Sequence, residues 1–148
     1  MTTTTDAPVA ATAGPRATAA TSRVSTAATR TGWAITAVVS LMLLLDSAAK
    51  LARLQPVRDS FAELGWPDHL IVPVGLLLLG CVVLHLVPRT SIVGAALLTA
   101  YLGGAVATHV RVEGPLFSTV LTPVYVAIAV WVGLYLRDVR VRALIAAR

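Results

Sequence analysis

Four long apolar segments follow one another along the chain, separated by short polar links. They cover residues 31–51, 69–87, 90–110 and 117–136. Each is close to the ~20 residues that an α-helix needs to cross about 30 Å of hydrocarbon. In lipid, a helix satisfies its own backbone hydrogen bonds. The pattern therefore predicts an all-α membrane protein, a bundle of four transmembrane helices.

A short amphipathic helix is predicted between the first and second spans. In the stretch PVRDSFAELGWPDHL, the apolar residues Val57, Phe61 and Leu64 recur at helical spacing. Pro56 suits a first helical position and Gly65 suits a helix end. We expect this helix to lie on the membrane surface, with its apolar face towards the lipid.

The two ends of the chain differ from the apolar middle. Residues 1–30 are rich in Thr and Ala and have few large side chains, which favours a disordered tail. Residues 31–138 are predicted to form the four-helix domain. Residues 139–148 are predicted to be a basic tail.

Composition supports a membrane protein and argues against a nucleic-acid partner. Of the 148 residues, 57% are hydrophobic and 13% are charged, whereas soluble domains carry about 25% charged residues. The net charge is +5, but the basic residues lie at the ends of the apolar segments instead of forming a patch. The single cysteine, Cys81, excludes an intramolecular disulfide and a CxxC pair.

Positive charge predicts the orientation in the membrane. The side that carries both termini and the link between the second and third helices holds eight Lys and Arg residues, and the other side holds four. Cytoplasmic loops carry the excess of these residues. We expect both termini in the cytoplasm.

Ionisable side chains converge on the predicted outer end of the bundle. Asp46 and Lys50 end the first helix there, and the stretch YLGGAVATHVRVEG brings His109, Arg111 and Glu113 to the same end. Ionisable residues near a span indicate a functional site by default. The alternative is that Asp46 and Lys50, four apart on one helix face, neutralise each other, while the others are ordinary boundary residues.

Small residues on the third span predict close helix packing. Such a stripe lets another helix approach closely, so we expect the helix that presents His109 to be held tightly in the bundle. The partner helix can belong to the same chain or to a second copy of it, so a homo-oligomer is also compatible with the sequence. The stripe consists of Ala96, Ala100, Gly103, Gly104 and Thr108.

No motif identifies a cofactor. The sequence contains no Walker loop, dinucleotide fingerprint, G-x-S-x-G or HExxH, and it offers no ligand set for zinc or an iron–sulfur cluster. His85 and His109 are predicted near opposite faces of the membrane, about 20 Å or more apart along the membrane normal. One haem iron therefore cannot bind both. We expect no metal site, and enzyme activity is undecided.

The chain resembles the DoxX-like family of small four-helix bacterial membrane proteins. The resemblance covers about residues 33–146 and rests on LHLVPRTSIVGAALLTAYLGGAVATHVRVEGPLF, PVYVAIAVWVGLYLRD and VRALI, with DSAAKL and LGWPDHL before them. Members often carry an acidic residue in the second helix, whereas VGLLLLGCVV has none. The family pattern singles out Asp46, Lys50, Pro88, Arg89, Thr90, Gly103, Gly104, His109, Arg111, Trp131, Arg137 and Asp138, of which Arg89, Thr90, Arg137 and Asp138 form a motif on the cytoplasmic side.

The resemblance implies a location in the inner or plasma membrane of a bacterium and says little about function. Three functions are therefore left open, the first of which rests on the absence of cofactor motifs, the single cysteine and the packing stripe. Some DoxX-like proteins are associated with quinone-linked sulfur oxidation, and others with membrane complexes for oxidative or thiol stress. We expect first a non-enzymatic subunit that anchors a redox or stress-response partner. The second expectation is a quinone-linked oxidoreductase subunit, with Asp46, Lys50 and His109 lining an outer quinol pocket. The third is a small-molecule permease, which four helices without an internal repeat make less favoured.

Overall fold

The computed structural model describes residues 26–146, which form six α-helices and no strand within that range. A 3-10 turn at Asp68–Leu70 leads into α3, and a π-helical turn at Leu116–Val120 leads into α5. Four segments are long and apolar enough to cross a membrane, so the predicted four-span bundle with a short helix after the first span is confirmed. The helices are α1 (Thr26–Leu51), α2 (Gln55–Glu63), α3 (Ile71–Leu86), α4 (Ser91–Arg111), α5 (Thr122–Arg137) and α6 (Val139–Ala146).

The four spans pack as a ring around one apolar core. α1 lies between α3 and α5, and α4 lies between the same two helices. Leu43, Leu78, Leu98 and Leu134 contribute one core side chain from each span. Many other large apolar side chains are exposed on the outside of the ring, where hydrocarbon would cover them. We call one end of the ring the α2 end and the other the α6 end.

The helix α2 follows the expectation from its turn residues. It spans Gln55–Glu63, with Pro56 in its first turn. Gly65 has φ +70°, in the left-handed region that glycine adopts without a steric penalty. Arg53, between α1 and α2, also lies in that region at φ 50°, so the chain turns sharply on either side of the short helix.

α3 and α4 cross most closely beside the link that joins them. A Cβ atom placed on Gly94 would lie 2.2 Å from the backbone nitrogen of His85. The Thr90 hydroxyl donates to the Leu84 carbonyl at 2.8 Å and ties the link to α3. The backbones of the two helices can therefore approach at the α6 end only because position 94 carries no side chain.

Helices begin or continue within parts of both predicted tails. Thr26–Arg30, assigned to the disordered tail, are the first turns of α1, and the rest of that tail lies outside the described residues. The start of α1 packs on α5, since a Cβ on Gly32 would lie 2.8 Å from the Leu136 Cβ. Most of the predicted basic tail, Val139–Ala146, is helix α6, whose Val141 is buried in the core.

Four of the five residues in the predicted packing stripe on α4 are exposed in the described chain, and Thr108 is partly buried. The exposed ones are Ala96, Ala100, Gly103 and Gly104, and a Cβ atom on either glycine would have no neighbour within 4 Å. The helix face that packs closely is the one that carries Gly94. Small residues permit a close approach, but they do not determine which face of a helix is used.

We expect Gly94→Ala to destabilise the protein and Gly103→Ala to leave it as stable or slightly more stable. Both positions are helical glycines, so both gain about 0.5–1 kcal/mol of helix propensity. Only at position 94 does the new methyl group collide with backbone, at a cost of about 1–3 kcal/mol or more. Thermal unfolding in nanodiscs measures both variants. Equal melting temperatures would contradict the close crossing.

Candidate functional site

A cavity of about 980 Å³ opens at the α2 end of the bundle. Residues of all four spans line it, and the apolar side of α2 covers part of it through Val57 and Phe61. The hydrogen-bonding or ionisable side chains in the lining are Asp46, Lys50, Ser60, Trp66, Cys81, Tyr101, Thr108, His109 and Thr122.

The cavity is polar near one end and apolar deeper in the bundle. Along α4 its lining extends from His109 back to Leu97, which corresponds to about 18 Å of helix axis. Leu77 and Leu97 line the deeper part, whereas Lys50 and His109 lie within the last turn of their helices. Such a cavity fits an amphipathic molecule with its polar group towards the α2 end.

Lys50 and Asp46 form an ion pair at the cavity wall. The Lys50 side chain is 11% exposed and that of Asp46 is 45% exposed. Beside them the Ser47 hydroxyl donates to the Gly75 carbonyl at 2.9 Å, and a Cβ on Gly75 would lie 2.9 Å from the Lys50 Cβ. α1 and α3 therefore touch at this point, and the contact fixes where the lysine enters the cavity.

Three of the five predicted outer-end residues share the cavity, and two do not. Asp46, Lys50 and His109 all line it. Arg111 instead donates to the Leu64 carbonyl at 2.5 Å, which fastens the segment after α2 to the end of α4. Glu113 lies in the turn after α4 with φ 53° and does not line the cavity.

A cluster of charges holds α2 over the bundle. Arg53, at the end of α1, forms an ion pair with Asp68, at the start of the α3 span. Arg58 of α2 also contacts Asp68, with 3.1 Å between its Nε and a carboxylate oxygen. Sequence reasoning left this three-residue cluster out, because no helical spacing connects residues on three different elements.

The sequence reasoning also missed Tyr101 and Cys81 as cavity residues. Both line the cavity, and Cys81 is only 4% exposed. The sequence did contain a signal on α4, since Leu97 and Tyr101 lie on one helical face with the stripe residues Ala100, Gly104 and Thr108. The small side chains of the stripe make room for the cavity at these positions, where we had expected a packed helix.

The family motif at the α6 end joins the ends of several helices. Arg137 donates to the His85 carbonyl at 2.9 Å, and its guanidinium lies 4.7 Å from the centroid of the Trp33 ring. The Thr90 hydroxyl bonds the Leu84 carbonyl and connects the link to α3, whereas Arg89 is exposed. The His85 Nδ1 lies 3.3 Å from the Ser91 carbonyl. These contacts make the motif a structural connection among α1, α3, α4 and α5.

Asp138 connects the α5–α6 turn to α4. Its carboxylate accepts from the Arg140 backbone nitrogen at 2.9 Å and from the Arg140 side chain at 2.8 Å. The Ser91 hydroxyl donates to it at 3.4 Å, and Arg140 also contacts the Pro88 carbonyl. The hydrogen bond from the Arg140 side chain is the main cause that holds the pKa of Asp138 below its ordinary value.

No group of three or more His, Cys, Asp or Glu side chains that could hold a metal ion occurs among residues 26–146. The chain matches the model of the DoxX-like family over residues 34–133. Because the match covers more than half of the chain, the protein belongs to the DoxX-like family. Comparisons with curated proteins and with solved structures give no significant match.

We expect Asp46→Leu to destabilise the protein, and the added change Lys50→Met to restore most of the loss. The single change leaves a nearly buried ammonium group without its carboxylate, at a cost of about 1–3 kcal/mol. The double variant removes both charges and keeps apolar volume, which is often close to neutral. Unfolding midpoints in nanodiscs measure this. Equal stability of the single and double variants would mean that the pair is not coupled.

We expect Asp138→Asn to lower stability at neutral pH and to make no difference in acid. The folded pKa of Asp138 is depressed, so its carboxylate stabilises the fold at pH values above its unfolded pKa. That contribution disappears as the pH falls through the folded pKa, below about pH 4. Melting temperatures of both proteins over a pH series measure the difference. A gap that stays constant into acid would exclude the charge as its cause.

Proposed function

We propose that this DoxX-like protein is a quinone-binding subunit of a membrane redox complex. The observation that carries the proposal is the cavity of about 980 Å³ that combines Asp46, Lys50 and His109 with an apolar interior. A quinone has the matching distribution of chemistry, with polar carbonyl groups on a ring and an apolar chain attached to it.

The polar residues of the cavity have separate roles in this proposal. Lys50 and His109 offer N–H groups that can donate to a carbonyl oxygen. Asp46 holds the Lys50 side chain along the cavity wall through the ion pair. The imidazole of His109 has one nitrogen that donates and one that accepts when it is neutral, so it suits the exchange of a proton with the ligand.

The apolar depth supports a lipid-soluble ligand over a small polar one. Met42, Leu77 and Leu97 line the cavity and are exposed at membrane depth, so a ligand dissolved in the bilayer can reach the interior from the side. A quinol supplies two electrons and two protons when it is oxidised. We assign the electron acceptor to a partner oxidoreductase, for which the DoxX-like chain would provide the membrane site.

The orientation is a further part of the proposal. We place the α6 end in the cytoplasm of a bacterium and the cavity on the outer side of its plasma membrane. Arg89, Arg140 and Arg142 lie at the α6 end, and an excess of such residues is typical of the cytoplasmic side.

We expect Gly104→Leu to reduce the quinone that co-purifies with the protein at least several-fold, and Gly103→Leu to leave it unchanged. Gly104 lines the cavity and Gly103 does not, while a Cβ at either position meets nothing within 4 Å. The leucine at position 104 occupies space that the ligand needs. The measurement is extraction and chromatographic quantification of quinone from protein purified out of native membranes.

This pair of variants also separates the proposal from a subunit that only anchors a partner protein. An anchor would retain its partner in both variants and would show equal quinone contents, or none. Equal quinone in the two variants would therefore overturn the proposed function.

A further inference from the structure

Tyr101 brings a hydroxyl group to the cavity at membrane depth. Its ring packs against the core cluster of the bundle and is partly buried, and the residue lines the cavity. No hydrogen bond within residues 26–146 joins its hydroxyl to a protein group, although the Asp46 carboxylate is near enough to act on it electrostatically. A phenol at membrane depth has no bulk water to bond with, so an unpaired hydroxyl there favours a ligand that accepts a hydrogen bond.

The other hydroxyl groups of the cavity are already used. Ser60, Thr108 and Thr122 each donate to the backbone carbonyl four residues earlier, at 2.6–2.9 Å. Lys50 pairs with Asp46, and its remaining N–H groups can still donate to a ligand. Among the hydroxyl and imidazole groups of the lining, Tyr101 and His109 are therefore the two that are available to a ligand.

Tyr101 and His109 are separated along the axis of α4. The eight residues between them correspond to about 12 Å. Tyr101 therefore enters the cavity at a deeper level than His109, and a ligand with acceptor oxygens at opposite ends of one ring can offer one oxygen to each level. A molecule with a single carbonyl group can contact only one of the two side chains at a time.

We infer that Tyr101 determines the specificity of the cavity, by donating a hydrogen bond to the deeper carbonyl of a para-quinone whose other carbonyl binds His109. This inference rests on the proposed function and adds to it the ligand class and the orientation of its ring. The ring lies with its two oxygens along the helix axis, and the apolar chain of the ligand extends towards the lipid.

The test compares two ligands and two variants in nanodiscs. The ligands are a naphthoquinone methylated at both free ring positions, so that it cannot add to the Cys81 thiol, and a tetralone of the same skeleton with one carbonyl. The variants are Tyr101→Phe and, as a matched control, Tyr125→Phe, which changes an exposed tyrosine of α5 that does not line the cavity. Trp66 lines the cavity, so quenching of tryptophan fluorescence reports binding.

We expect Tyr101→Phe to weaken naphthoquinone binding about 2- to 10-fold, as for the loss of one hydrogen bond. Tetralone binding should change by less than about 2-fold, because its single carbonyl can turn to His109. Tyr125→Phe should change neither. An unchanged naphthoquinone affinity, or an equal loss for both ligands, would overturn the role of Tyr101 while leaving the proposed function standing. No saturable naphthoquinone binding by the unmodified protein would overturn the proposed function itself.

Discussion

The close crossing of α3 and α4 at Gly94 is the contact on which the shape of the bundle depends. It brings the two backbones together beside the link between them. α1 and α5 are similarly close at the α6 end, where Gly32 and Gly133 allow contact. Towards the α2 end, the glycines of α4 have open space beside them. The spans are therefore joined tightly at one end, which leaves room for a cavity at the other.

The α6 end is reinforced by polar contacts that a lipid environment strengthens. Arg137 bonds the His85 carbonyl and stacks on Trp33, while Asp138 joins Ser91 and Arg140. Each of these bonds connects residues that belong to different helices or to the turns between them. Buried polar groups are costly when they are unpaired. These residues therefore stabilise the packed bundle, and they would destabilise an arrangement of the helices that separated the partners.

At the α2 end, α1 and α3 are in close contact, and the remaining space between the spans forms the cavity. Ser47 and Gly75 bring α1 against α3 beside Lys50. The rest of the cavity is covered by α2, whose residues are all exposed or only partly buried. Contacts of Arg53, Arg58 and Arg111 hold α2 and its flanking segments in place. The cavity therefore lies between one close helix contact and a cover that surface ion pairs and a hydrogen bond hold in place.

The sequence by itself determined the number of spans, the short helix after the first of them and the family. Those features depend on local composition and on turn residues such as Pro56 and Gly65, and each can be read from a short segment. It also brought Asp46, Lys50 and His109 to one end, because the alternation of antiparallel spans sets the end at which each helix stops. Only the tertiary structure decided that Gly94 packs while Gly103 and Gly104 do not, that Arg111 holds α2, and that Tyr101 enters the cavity. Those outcomes depend on the rotation of each helix about its axis, which is set by the summed packing of all its neighbours.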